Sequence, residues 1–171
     1  MIISASRRTD IPAFFSDWII NRFSKQYAYV RNPMNIHQIS KINLSPDVVD
    51  CIVFWSKNPK PMVDKLTALT DYMYYFQFTL NAYDKDLETN LPDLNTRIDT
   101  FQTLSNLIGK KRVVWRYDPI IVNDKYSIDW HVEQFEYLTK QLCHYTEKIT
   151  ISFIDLYAKI SHNINEKNIY E

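Results

Sequence analysis

The sequence predicts an α/β fold: a partial (β/α) TIM-like barrel of about five parallel strands, with a β-hairpin inserted after the first helix. Three observations predict it. Short apolar runs alternate with helix-like amphipathic stretches along the chain. Runs such as Cys51-Ile52-Val53-Phe54-Trp55 are continuously apolar, as strands covered on both faces are. Each run also ends abruptly in polar residues, most clearly where Val113-Val114-Trp115 meets Arg116-Tyr117-Asp118-Pro119. A complete eight-unit barrel needs about 250 residues. The 171 residues here fit a single domain, 1–171, that stops early; an open doubly wound sheet is the alternative.

The first strand is expected at about Ile2–Ser6. Asp10 is placed to cap the next helix, with Pro12 in its first turn. That helix, about Ala13–Lys25, carries Phe14, Phe15, Trp18, Ile19, Arg22 and Phe23 on a mostly apolar stripe. Tyr27–Arg31 and Gln38–Leu44 flank an Asn-Pro connection and read as the hairpin. The second core strand is Cys51–Trp55, followed by a helix from about Pro61 to Leu69 and a third strand over Tyr72–Leu80. After the acidic loop Asn81–Pro92, a helix covers about Leu94–Ile108, with Ile98, Phe101, Leu104, Leu107 and Ile108 inward and Gly109 stopping it. The fourth strand is Arg112–Arg116. A helix over about Ile128–His144 buries Ile128, Val132, Phe135, Leu138 and Leu142, and the fifth strand is Lys148–Phe153. The stretch from Ile154 begins as a helix and becomes polar.

Composition excludes several functions. Lys plus Arg and Asp plus Glu are both 20, so the net charge is zero. This balance argues against bulk binding to nucleic acid or anionic membranes, while leaving a local basic pocket open. No apolar run approaches a membrane span, and the N-terminus lacks a signal-type core; a soluble, cytoplasmic protein is expected. The one glycine, Gly109, rules out a Walker loop and a dinucleotide fingerprint, which need several. Cys51 and Cys143, the only cysteines, read as buried or half-buried thiols. They cannot supply a zinc ribbon or a four-cysteine cluster, and the four histidines show no ligand spacing, so no metal ligand is assigned. Each histidine reads as surface or local structure.

In parallel α/β folds ligands bind at the carboxyl ends of strands. The expected ligand-binding residues at those ends are Arg7, Arg8, Lys57, Asn58, Gln77, Asn81, Arg116 and Asp155. The cations suit a small anionic ligand, because an Arg fork matches carboxylate or phosphate oxygens and Lys supplies a point charge. Asp10 and Asp118 are the candidate acid–base groups. The plainer reading pairs Arg7 or Arg8 with Asp10, and Arg116 with Asp118 or Asp155, locking loops and binding nothing. Trp55, Phe76, Phe78, Trp115 and Tyr117 are expected to fill the interior.

Several strings together resemble one family. Ser4-Ala5-Ser6-Arg7-Arg8-Thr9-Asp10-Ile11-Pro12, Val30-Arg31-Asn32-Pro33-Met34-Asn35, the run from Leu44 to Pro59, Phe76-Gln77-Phe78-Thr79-Leu80-Asn81, Trp115-Arg116-Tyr117-Asp118-Pro119 and Ser152-Phe153-Ile154-Asp155 are similar to the bacterial domain-of-unknown-function family 1848. The resemblance spans nearly the whole chain. It implies longer relatives with a C-terminal Cys-Pro-x-x-Cys-x-x-Cys segment, hence an iron–sulfur cluster, and a barrel likened to radical S-adenosylmethionine enzymes. This sequence lacks those cysteines, so no cofactor is expected in it. It reads as a truncated, catalytically incomplete derivative of an enzyme, keeping the substrate pocket. The alternative is a binding or regulatory protein acting through a partner chain, or self-associating at an open barrel edge, since an uncovered strand edge recruits partners.

Overall fold

The computed structural model describes residues 1–5, 8–32 and 34–154. Arg7, Asp155 and the helical start expected after Ile154 lie outside the described residues. The fold is α/β. Five strands, β1 (Ile2–Ala5), β4 (Cys51–Ser56), β5 (Tyr74–Thr79), β6 (Val113–Ile120) and β7 (Ile149–Phe153), form one parallel sheet in the order β1-β4-β5-β6-β7. Strands β2 (Tyr27–Arg31) and β3 (Ile39–Asn43) make a separate antiparallel hairpin, Tyr27 opposite Asn43. The chain divides into two compact units, Met1–Gln77 and Phe78–Glu171.

In the first unit, β1 pairs in parallel with β4, Ile2 opposite Cys51 and Ala5 opposite Phe54. Helix α1 (Ile11–Phe14) starts at the cap Asp10, whose carboxylate accepts from Ala13 N–H. The single helix expected from Ala13 to Lys25 is two. Phe15 leaves helical geometry at φ −133°, and α2 (Ser16–Lys25) begins after it. The stripe is correspondingly narrower: Ile19 and Phe23 are buried, while Phe14, Phe15 and Trp18 are exposed. A break in a helix rotates its two halves against each other, so one periodic stripe cannot serve both. Further along, α3 (Lys60–Val63) and a 3₁₀ turn at Leu66–Leu69 replace the expected helix. Ile52, Phe54, Met62, Leu69 and Phe76 form the core, with the Phe54 and Phe76 rings stacked at 5.0 Å. The hairpin is anchored by Tyr72, whose buried hydroxyl donates to Leu44 O at 2.7 Å.

In the second unit, α4 (Leu94–Ile108) is capped by Asp93 and α5 (Ile128–Leu142) by Ser127. Gly109 closes α4 at φ 89°, its N–H bonded to Ser105 O; an L side chain resists that conformation. Phe78, Phe101, Leu104, Leu138 and Leu142 fill the core. Three residues expected inward are outward: Leu107, Ile128 and Val132 are exposed. Cys143 is exposed and Cys51 half-buried, so only Cys51 behaves as expected.

Strand β6 departs most from expectation. It runs through Arg116-Tyr117-Asp118-Pro119 to Ile120 rather than ending at Arg116. Tyr117 faces Ile151 and Ile120 faces Phe153, so Asp118 and Pro119 together oppose Ser152 alone. This is a bulge, a device that re-aims side chains at the ends of sheets. Pro119 follows a cis peptide bond and has no N–H to give to a ladder. No helix among the described residues is long and apolar enough to cross a membrane.

Candidate functional site

The strand ends hold two clusters, one in each unit. In the first unit the hub is Asp10. One carboxylate oxygen accepts from Ala13 N–H at 3.0 Å. The other accepts from Ser56 Oγ at 3.0 Å and Lys57 N–H at 2.8 Å. Ser56, buried at the end of β4, in turn accepts from Asn58 N–H at 3.0 Å. Three of about four lone-pair directions of the carboxylate are filled, and the segment after β1 is tied to the end of β4. Lys57 and Asn58 are half-buried there, and Arg8 is exposed. The Oδ1 atom of Asn58 is a buried acceptor without a hydrogen-bond partner. Gln77 is half-buried in β5, the last residue of this unit.

In the second unit the β6 bulge organises everything. Arg116 donates through Nε at 2.9 Å, and through Nη2, to Asp118 Oδ2. Asp118 Oδ1 accepts from Ser152 Oγ. The two ionic side chains are only 17% and 20% exposed. Asn81, 1% exposed, clamps the same residue by its backbone: Asn81 Nδ2 donates to Asp118 O at 3.1 Å, and Asp118 N–H donates to Asn81 Oδ1 at 3.0 Å. Tyr83 fixes the far side of the bulge, donating to Pro119 O and accepting from Ile121 N–H, both at 2.8 Å.

Beneath the bulge lies a pair that the sequence did not reveal. Tyr117 Oη and His131 Nδ1 are 2.8 Å apart, and His131 Nε2 is 2.9 Å from Ile121 O. A carbonyl only accepts, so Nε2 carries the proton and the neutral Nδ1 accepts from the phenol. Burial holds the imidazole below its ordinary pKa and pushes the Tyr117 and Tyr83 phenols up. A half-polar helix face hid His131; only its position one turn into α5, beside Ser127, hinted at an inward aim.

The His131 environment gives a pH prediction. In the unfolded chain the imidazole protonates near its ordinary value of about 6.5; in the folded chain it does so only at lower pH. The unfolded state therefore binds more protons below about 6.5, and stability falls as pH drops, by up to about 1.4 kcal/mol per pH unit. Urea unfolding at pH 5 and 7 checks this. His131→Gln should reduce the difference, and an unchanged pH dependence in that variant would remove His131 as its source.

The structure thus brings Asp10, Lys57 and Asn58 together in one cluster, and Asn81, Arg116 and Asp118 in the other. Ser56 and Ser152, polar residues at strand ends, prove to be the hydroxyls that hold the two carboxylates. Of the plain pairings, Arg116 with Asp118 is present. The interior aromatics Phe76, Phe78, Trp115 and Tyr117 are buried, and Trp55 is half-buried, with its Nε1 donating to Ser4 Oγ at 3.2 Å.

A family model described as Domain of unknown function (DUF1848) matches residues 2–171. The chain belongs to this family. No curated protein and no solved structure matches it. An iron–sulfur cluster, which the family resemblance implies for longer relatives, requires three or four thiolates. The two cysteines of this DUF1848 chain, one half-buried in β4 and one exposed after α5, do not meet that requirement. Among the described residues, no group of three or more His, Cys, Asp or Glu side chains is placed to hold a metal ion.

Proposed function

We propose that this chain binds a small anionic molecule at the carboxyl ends of its strands, with the β6 bulge as the anchoring point. One observation carries the reading: Arg116 is held in a fixed fork by Asp118, and Asp118 is itself fixed by Asn81 and Ser152. A guanidinium oriented in advance loses little freedom when it meets a carboxylate or phosphate.

The reading is binding rather than catalysis by this chain alone. Asp10 is occupied by three hydrogen bonds, and Asp118 by Arg116 and Ser152. Both carboxylates orient loops and a cation, which fits a binding or regulatory role. In the same proposal the sheet is the first part of a (β/α) barrel, and the protein works in the cytoplasm, where free thiols such as Cys51 and Cys143 persist.

Thermal melting against a panel of anionic metabolites tests it. At least one phosphate or carboxylate compound should raise the midpoint of the wild type. Arg116→Ala should abolish that rise, and Arg116→Lys, which keeps charge but loses the fork, should restore only part of it. An Arg116→Ala protein that responds as the wild type does would end the proposal.

A further inference from the structure

The β2–β3 hairpin of the first unit is held at its base and bare at its outer end. At the base, Leu44 N–H donates to Gln26 O at 2.8 Å, the Tyr72 hydroxyl holds Leu44 O, and Ala28 is buried. At the outer end Val30, Met34, Ile36 and Ile39 are 45%, 92%, 65% and 56% exposed. Aliphatic side chains gathered at one turn form an apolar patch of the kind that marks an interaction site. The turn closes on its own hydrogen bonds. Asn32 N–H donates to Gln38 O at 2.9 Å, and Gln38 N–H to Asn35 O at 3.0 Å. The Asn32 side chain accepts from Met34 N–H at 2.9 Å, and that of Asn35 from His37 N–H at 3.1 Å. These backbone donors have partners without water, which is the condition for leaving water.

The charge around this end selects the partner. Residues 18–46 contain four cations, Arg22, Lys25, Arg31 and Lys41, and no Asp or Glu. Among the described residues none of the four pairs with a carboxylate. The zero net charge of the chain thus contains a local excess. Alternation puts Tyr27, Tyr29 and Arg31 on one face of the hairpin, opposite Asn43, Lys41 and Ile39. Lys41 Nζ lies 4.8 Å, and Arg22 Cζ 5.7 Å, from the centre of the Tyr27 ring. An aliphatic end beside cations and tyrosines matches a surface that is anionic outside and apolar beneath, which is a bilayer with acidic headgroups. A single-stranded nucleic acid fits less well. Aliphatic side chains offer bases no stacking surface, and two cations already face the Tyr27 ring, leaving Tyr29. A second copy docked by the same face would set these cations against one another.

We infer that the outer end of the β2–β3 hairpin docks on anionic lipid. Val30, Met34, Ile36 and Ile39 enter the boundary of the acyl chains, and Arg31 and Lys41 meet the phosphate and carboxylate groups above it. The contact is peripheral and spans nothing. It rests on the first unit alone and is independent of anion binding at Arg116.

The test uses the full chain and vesicles of two-thirds phosphatidylcholine and one-third phosphatidylserine. The wild type should pellet with these vesicles and not with phosphatidylcholine alone, and added salt should release it. Met34→Asp with Ile36→Asp should weaken binding by more than about tenfold. Arg31→Ala with Lys41→Ala should weaken it by about thirtyfold, at about fivefold for each cation. All four positions are exposed, so both double variants should melt within about 2 °C of the wild type. The inference is overturned if the wild type stays in solution with the anionic vesicles, or if Met34→Asp with Ile36→Asp binds them as tightly. Tighter binding to a single-stranded oligonucleotide than to the vesicles would also overturn it. So would a concentration-dependent dimer that Ile36→Asp dissolves, which assigns the patch to a second copy.

Discussion

Arg97→Ala is expected to destabilise the protein by about 3–5 kcal/mol. Arg97 Nη1 donates to Glu88 Oε2 at 2.7 Å, and the two side chains are 3% and 4% exposed. Removing the guanidinium leaves a carboxylate buried in the loop before α4 without its cation, and that is costlier than the pair itself is worth. Glu88→Ala should cost a similar amount, because Arg97 Nε is already a buried donor without a hydrogen-bond partner and would become a buried charge as well. The double replacement Arg97→Met with Glu88→Leu should cost much less than the sum of the single changes, since it leaves neither charge behind. Urea unfolding of the three variants measures this. Single variants within about 0.5 kcal/mol of the wild type would show that water reaches the pair and that it does not hold the loop.

That pair marks the limit of what the sequence reveals. The five core strands, the hairpin and the helices α4 and α5 are legible, because their signals are local: apolar runs, an Asn-Pro connection, capping residues and a stop glycine. Glu88 reads as one more acid in an acidic loop, and Arg97 as a charge on a helix. Their meeting depends on how the loop folds back over α4, which no periodicity encodes. His131 is hidden for the same reason. The α1–α2 break fails differently: Phe14, Phe15 and Trp18 match a helical stripe, and the backbone turn at Phe15 points them to solvent. At the candidate site, the residue types at the strand ends are legible, including Asn81, Arg116 and Asp118. The pairing of Arg116 with Asp118 is legible as well, as opposite charges two residues apart, but the hold of Asn81 and Ser152 on Asp118 is not. It depends on a bulge that sets two residues of β6 against one of β7, and a strand pattern of period two cannot announce an extra residue.

The bulge also makes Asn81 the residue whose loss should separate stability from ligand binding most clearly. Asn81→Ala removes both hydrogen bonds to the Asp118 backbone and leaves a part-buried N–H and C=O without these partners. Each such loss costs about 1–3 kcal/mol, so a destabilisation of about 2–4 kcal/mol is expected. Asn81→Asp should cost less, because a carboxylate still accepts from Asp118 N–H although it cannot donate to Asp118 O. The consequence reaches Arg116: with Asp118 no longer held by its backbone, the guanidinium loses the support that fixes its direction. The midpoint rise produced by a stabilising anion should therefore shrink in Asn81→Ala beyond what the lower stability explains, approaching the null response of Arg116→Ala. Melting each variant with and without the anion separates the two effects. If Asn81→Ala is destabilised yet keeps the full anion-induced rise, the clamp is structural only, and the preorganisation of Arg116 rests on Ser152 and Asp118 alone.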